Sequence, residues 1–223
     1  MKSVLLIGAT GLVGSHCLEV LLDQKWVGMV TILTRNDPGI KHKKLVCEIV
    51  DFENIEKYKK RIKCDAMIST FGTTIKMAGY NKEIFYKWDV GIPLSVAAIA
   101  FENGCKHFLF VSAAGVSEKS PFFYSKCKGT MEKLSQKIGF PCVDIFQPSF
   151  LTGERKEKRT GEKIFSIIMP FLKILFIGPL KKYNPVEAKQ VAHAIVKEAE
   201  NPKPGVHRHT WKELKSQGRL LAN

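Results

Sequence analysis

The sequence is short of acidic residues, of paired cysteines and of long apolar runs, and each shortage removes a class of protein. Against 35 Lys and Arg stand only 21 Asp and Glu, a formal charge of +14 that favours anionic partners. The basic residues fall in short separate runs at 41–44, 57–63, 155–163 and 181–182. They form no stripe interleaved with aromatics, and no helix-turn-helix, zinc-finger or RNA-recognition signature accompanies them, so no nucleic acid is expected. The six cysteines, Cys17, Cys47, Cys64, Cys105, Cys127 and Cys142, include no CxxC. That scatter excludes a disulfide framework and suits a reducing compartment, here expected to be the cytoplasm. His207-Arg208-His209 has no Cys or carboxylate at ligand spacing, so no metal is expected.

Membrane-spanning segments are also missing. The first apolar run, in MKSVLLIGATG, is about five residues, shorter than the ~7–15 of a signal-peptide core, and it leads into a glycine turn as a strand would. Residues 164–180 are strongly apolar, but Pro170, Lys173 and Pro179 interrupt them and a span needs about 20 residues. A flap over a substrate pocket or a homodimer contact is expected there; a lipid-facing patch beside Lys181 and Lys182 is the rival use.

What the chain does have is an alternation of short aliphatic runs with helical patterns. Strands are predicted at 4–7, 29–33, 45–50, 66–69, 107–111 and 142–146, continuous enough in apolar residues to be buried on both faces. Helices are predicted at 12–22, at 80–103 with a break near Pro93 and a stop at Asn103-Gly104, and at 122–138. This is an α/β fold: one Rossmann-type domain over 1–223, a doubly wound parallel sheet with helices on both faces. Residues 152–183 are expected to form a small substrate-side or interface insertion.

GATGLVG, residues 8–14, leaves the first strand and opens the first helix. Gly8 permits the tight turn, Gly11 lets a pyrophosphate approach the backbone, and Gly14 allows close packing of helix on strand. The spacing is GxxGxxG rather than GxGxxG. After the second strand comes LTRND, where a 2′-hydroxyl reader would carry an acid; Arg35 suits a 2′-phosphate, so NADPH is the expected cofactor. Asp37 is the rival as a ribose ligand, although Asp37-Pro38-Gly39 reads as a turn. Asp51 and Phe52 could flank adenine, or Asp51 could simply cap a helix. Phe71 and Gly72, past the fourth strand, could lie along the cofactor's ribose, or simply belong to an ordinary loop.

Ser112 leaves the fifth strand at the rim where ligands bind, and Tyr124 precedes Lys128 by one helical turn. A carbonyl receiving a hydride becomes an alkoxide that must be protonated. Tyr124 is the candidate acid, Lys128 the charge that lowers its pKa and holds the nicotinamide ribose, and Ser112 the donor to the carbonyl oxygen.

Together with GATGLVG, these residues resemble the short-chain dehydrogenase/reductase superfamily. FGTTIKMAG (71–79), GCKHF (104–108), YSKCKGTMEKL (124–134) and QPSFL (147–151) are similar to its atypical branch, that of the Tat-interacting tumour-suppressor protein and its microbial relatives. The resemblance covers most of 1–151 and loosens beyond it, apart from NPVEAKQVAHAI (184–195). It implies NADPH binding with Gly8, Thr10, Gly11, Leu12, Val13, Arg35, Tyr124 and Lys128 at matching positions. It leaves two functions open, an NADPH-dependent oxidoreductase acting on a small carbonyl or alcohol and an NADPH-binding regulator, since the branch holds proteins known as regulators. Ala113 stands where relatives often carry a second Ser, and the larger C-terminal domain of sugar-nucleotide epimerases is missing, which argues against a bulky nucleotide sugar.

Overall fold

The computed structural model describes residues 1–153 and 184–219, so the expected insertion beyond its first two residues, with its apolar stretch, lies outside the described residues. Seven parallel strands form the main sheet, in the order β3-β2-β1-β4-β5-β6-β9. They are β1 (Lys2–Ile7), β2 (Val27–Thr34), β3 (Leu45–Ile49), β4 (Ala66–Ser69), β5 (His107–Val111), β6 (Cys142–Phe146) and β9 (Gly205–His209). The order reverses between β1 and β4, and a crevice for a dinucleotide opens at such a point, outside the carboxyl ends of the strands. Two short strands, β7 (Leu151–Thr152) and β8 (Val186–Glu187), pair parallel beside it.

Strand alternation sorts the core into two layers. Val4, Leu6, Leu109 and Phe146 point to the face covered by α1 (Leu12–Asp23) and α5 (Ala188–Glu200). Leu5, Ile7, Phe108, Phe110 and Ile145 point to the opposite face, under α3 (Ile92–Glu102) and α4 (Phe123–Ser135). The period-2 alternation thus gives one buried run two apolar faces, as parallel sheets require. After β9 the chain ends in α6 (Trp211–Arg219).

All six predicted strands are present; the sequence pattern did not reveal β9 of the main sheet or the short pair β7 and β8. β9 is a sheet edge with Val206 39% exposed, so it has no apolar run to announce it. The expected helix over 80–103 does not break at Pro93. α2 (Lys82–Tyr86) runs through a single π-turn (Lys87–Gly91) into α3, and Ile92 N–H reaches back to the Lys87 carbonyl. Pro93 has no N–H for the Asp89 carbonyl, and the wider turn accommodates that loss. This is also the one helical stretch among the described residues long and apolar enough to cross a membrane, and half of that window is buried inside the fold. α3 ends as predicted: Gly104 takes φ +93°, while Cys105 N–H bonds the Ala100 carbonyl and Gly104 N–H that of Phe101.

The sheet also buries a polar staple. Asp144 on β6 accepts from His107 on β5 and His209 on β9, each at 2.6 Å. Burial works against the Asp144 charge, but the two imidazoles prevail and hold its pKa at about 2. Asp144, His209 and Glu198 have ligand-type atoms within 4.8 Å of one another, a grouping that spacing around His207 and His209 could not disclose. All six thiols are free.

Candidate active site

The glycine turn is built as its spacing predicts. Gly8 adopts φ +83°, and a Cβ there would lie 2.7 Å from Phe71 N. A Cβ on Gly14 would lie 2.0 Å from the Gly8 carbonyl oxygen, so the helix and turn are in backbone contact. Thr70 Oγ1 donates to the Ile7 and Gly8 carbonyls and fastens the turn to the end of β4. Gly11 and Thr10 are exposed, Leu12 and Val13 open α1, and no side chain caps that helix. The first turn carries no acid, so its free N–H groups and positive dipole end suit a pyrophosphate.

Beside the turn stands an aromatic wall. Phe71 stacks on Trp88 at 5.8 Å, and Phe52 packs against Phe71 at 5.1 Å. Arg35 is exposed and lays its guanidinium over Trp88 at 5.4 Å, near the end of β2. Asp37 accepts from Gly39 N–H, which is the turn its sequence suggests. Asp51 accepts from Glu53 N–H and Asn54 Nδ2, so it serves the cap at the start of the 3-10 segment Phe52–Arg61. Those same bonds, the Asn54 one first, lower its pKa. Trp88 was not singled out from sequence, where it reads as one more apolar helix position.

Tyr124 and Lys128 sit one turn apart at the start of α4, as the spacing requires. Tyr124 is 48% exposed and packs its ring on Phe85 at 6.1 Å. Lys128 is buried and pairs with Asp89 on the π-turn, Nζ to Oδ2 2.8 Å. Asp89 Oδ1 accepts from Thr73 N–H at 2.9 Å. A Cβ on Gly72 would meet Asp89 Oδ1 at 3.1 Å and Lys128 Nζ at 3.7 Å. The loop after β4 therefore touches the phosphate turn through Phe71 and the lysine through Gly72.

One local electrostatic outcome differs from expectation: the Tyr124 pKa is raised, while Lys128 stays charged as expected. Enclosure raises the Tyr124 pKa, Asp89 adds to the rise, and the opposing pull of Lys128 is too small to reverse it. For Lys128, burial alone would depress the pKa, but Asp89 and then Tyr124 carry it above its ordinary value. Ser112 is buried, with its hydroxyl donating to Glu132 Oε1 at 2.5 Å. Gln147 Nε2 donates to the same oxygen at 2.8 Å, and Arg208 lies 3.5 Å from the other. Glu132 follows Lys128 by one more helical turn, so extending the Tyr–Lys spacing would have found it. Asp89 had a fainter signal, a lone acid in an apolar helix.

The model of the "NAD dependent epimerase/dehydratase family" matches residues 4–211. "Protein FMP52, mitochondrial" of Candida albicans is 35% identical over 200 residues, 87% of this chain and 86% of that protein. Rat "Protein HTATIP2" is 32% identical over 165 residues, 72% of this chain and 67% of that protein. Among solved structures, the UDP-N-acetylglucosamine 4-epimerase from Methanobrevibacter ruminantium superposes with a TM-score of 0.71 at 17% identity, covering 94% of this chain and 76% of the epimerase. The Bordetella bronchiseptica enzyme WbmH in complex with NAD+ gives 0.67 at 18%, covering 95% and 76%. At such identities the likeness establishes the fold. The expected cytoplasmic location is overturned, because the relatives from Candida albicans, Meyerozyma guilliermondii and Aspergillus clavatus are all named mitochondrial. Free thiols exclude only an oxidising compartment and do not distinguish among reducing ones.

Proposed function

The chain belongs to the NAD dependent epimerase/dehydratase family, within the short-chain dehydrogenase/reductase superfamily, and on that premise we propose that it is an NADPH-dependent reductase of a small carbonyl compound. The observation that carries this reading is the loop after β4. Phe71 seals the phosphate turn at Gly8 while Gly72 lies against Lys128, so a dinucleotide on the turn has the Tyr124–Lys128 pair at its other end. The uncapped, acid-free start of α1 would hold the pyrophosphate, the wall of Phe52, Phe71 and Trp88 would flank the adenosine half, and Arg35 would meet a 2′-phosphate.

When bound, the reduced dinucleotide supplies a hydride. Tyr124 delivers its hydroxyl proton to the carbonyl oxygen, which leaves as the alcohol. Lys128 keeps a cation beside the phenolate formed and would be the residue to hold the ribose. The Ser112 hydroxyl donates its hydrogen bond to Glu132 Oε1, so it donates to a substrate only by leaving that carboxylate. Met77, Tyr80, Phe122 and Phe150 are exposed on segments following β4, β5 and β6, which supports a substrate with an apolar body. The names of the fungal relatives support a mitochondrial location for this chain as well.

The test is NADPH oxidation with a panel of aldehydes, ketones and quinones, comparing the parent with Tyr124→Phe. Removing one hydroxyl from a half-exposed ring should leave folding and NADPH affinity unchanged and cut turnover about 10²–10⁴-fold. A rate indifferent to the substitution would mean adventitious chemistry. The commitment of Ser112 to Glu132, with Ala113 beside it, favours a second reading, an NADPH-binding regulatory protein. Tight NADPH binding with no turnover on the whole panel would select it.

A further inference from the structure

A buried ammonium without a counter-charge is costly, and Lys128 would ordinarily lose its proton or its place. Here the counter-charge is supplied from a distant part of the chain. Asp89 is 1% exposed; one carboxylate oxygen takes the Thr73 N–H, and the other lies 2.8 Å from Lys128 Nζ as an ion pair, with no hydrogen bond of its own. Its backbone is the π-turn set by Pro93, a local departure from helix geometry of the kind found at functional sites. Gly72 leaves the room this pair needs, since any Cβ there would press on Asp89 Oδ1. One carboxylate therefore ties together the π-turn, the loop after β4 and the lysine on α4.

We infer that Asp89 is a positioning residue of this site, which holds Lys128 in place and offsets part of its charge at Tyr124, so that the tyrosine stays protonated and the site is set to give a proton rather than to take one. The inference rests on the reading of Tyr124 as the acid. A bare Lys128 would stabilise a phenolate, the form that removes a proton from an alcohol. Paired with Asp89, its pull on Tyr124 is partly offset: enclosure is the first cause of the raised Tyr124 pKa, Lys128 lowers it, and Asp89 opposes Lys128. Among the described residues, the charged groups acting on Tyr124 are Lys128 and Asp89, while Lys128 also feels the Cys127 thiol, and Lys82 sits over the neighbouring Phe123 ring at 5.6 Å. Cys127 also feels both Asp89 and Lys128.

The experiment is an ultraviolet titration of the Tyr124 phenolate in the cofactor-free protein, taken as the difference between each variant and the same variant carrying Tyr124→Phe. Asp89→Asn keeps the shape and an acceptor for Thr73 but removes the charge. Its phenolate midpoint should fall by about one pH unit or more, as expected for a unit charge acting over a few ångströms at intermediate dielectric. Asp89→Glu should return toward the parent. Lys128→Met should raise the midpoint by exposing Tyr124 to an unopposed carboxylate, and Asp89→Asn with Lys128→Met should bring it back down. That last comparison reads the Asp89 charge even if Asp89→Asn alone does not fold. Midpoints that ignore Asp89 in both backgrounds would overturn the inference. Because no turnover is measured, such a failure is distinct from failure of the reductase reading, which the Tyr124→Phe rate comparison decides.

Discussion

Replacing Gly14 with alanine tests the contact that makes the phosphate turn. The added Cβ would stand 2.0 Å from the Gly8 carbonyl oxygen and 2.5 Å from Thr70 Oγ1, both far inside ordinary contact. Neither neighbour is free to move. Gly8 is held at φ +83° with its own open side 2.7 Å from Phe71 N, and Thr70 Oγ1 is bonded to the Ile7 and Gly8 carbonyls. Overpacking a well-filled site costs about 1–3 kcal/mol, and a clash with backbone belongs at the upper end. For a chain of this length each kcal/mol is worth roughly 2–4 °C in melting temperature, so a fall of about 6–12 °C is expected. The strain also pushes the first turn of α1 away from the dinucleotide, and losing one charge-assisted N–H contact, about 1.5–3 kcal/mol, weakens NADPH by roughly 10–100-fold. Thermal melting and titration of NADPH fluorescence read the two effects. A variant that melts within about 2 °C of the parent and binds NADPH within about twofold would refute this account of the turn.

Arg35 lies over Trp88 with its guanidinium exposed, so Arg35→Ala should weaken NADPH by about tenfold or more while leaving NADH nearly unchanged, measured by paired titrations. Equal affinities for the two in the parent would remove the 2′-phosphate from its role. Asp144 makes a pH prediction. Its folded pKa, about 2, lies below the ordinary 3.8, so its contribution is complete above about pH 4 and is lost as pH falls through 2. The difference is worth ~2 kcal/mol at the usual 1.36 kcal/mol per pH unit. Asp144→Asn should lose about 3–5 kcal/mol at neutral pH by stranding His107 and His209, and should lack this share of the acid loss. Urea melts at pH 6, 4 and 2.5 that show the same acid loss in both proteins would count against the staple.

The sequence by itself determined what depends on near neighbours along the chain. The aliphatic runs of β1, β2, β4, β5 and β6 declared strands buried on both faces, because parallel strands need no polar face. GATGLVG declared a tight glycine turn between β1 and α1, because only glycine tolerates the Gly8 torsion and the Gly14 contact. The i to i+4 spacing of Tyr124 and Lys128 put both on one side of α4. Tertiary structure decided everything that depends on which distant group meets which. It gave Lys128 its partner in Asp89, handed the Ser112 hydroxyl to Glu132, stacked Arg35 on Trp88, and reversed the expected direction of the Tyr124 pKa. It also made β9 a strand, since a half-exposed edge gains its order from hydrogen bonding to β6 and not from an apolar pattern of its own. Periodicity reports which way a side chain points relative to its own helix or strand. Charge state and hydrogen-bond ownership are set by the groups that folding brings to within a few ångströms, and those groups come from other elements of the chain.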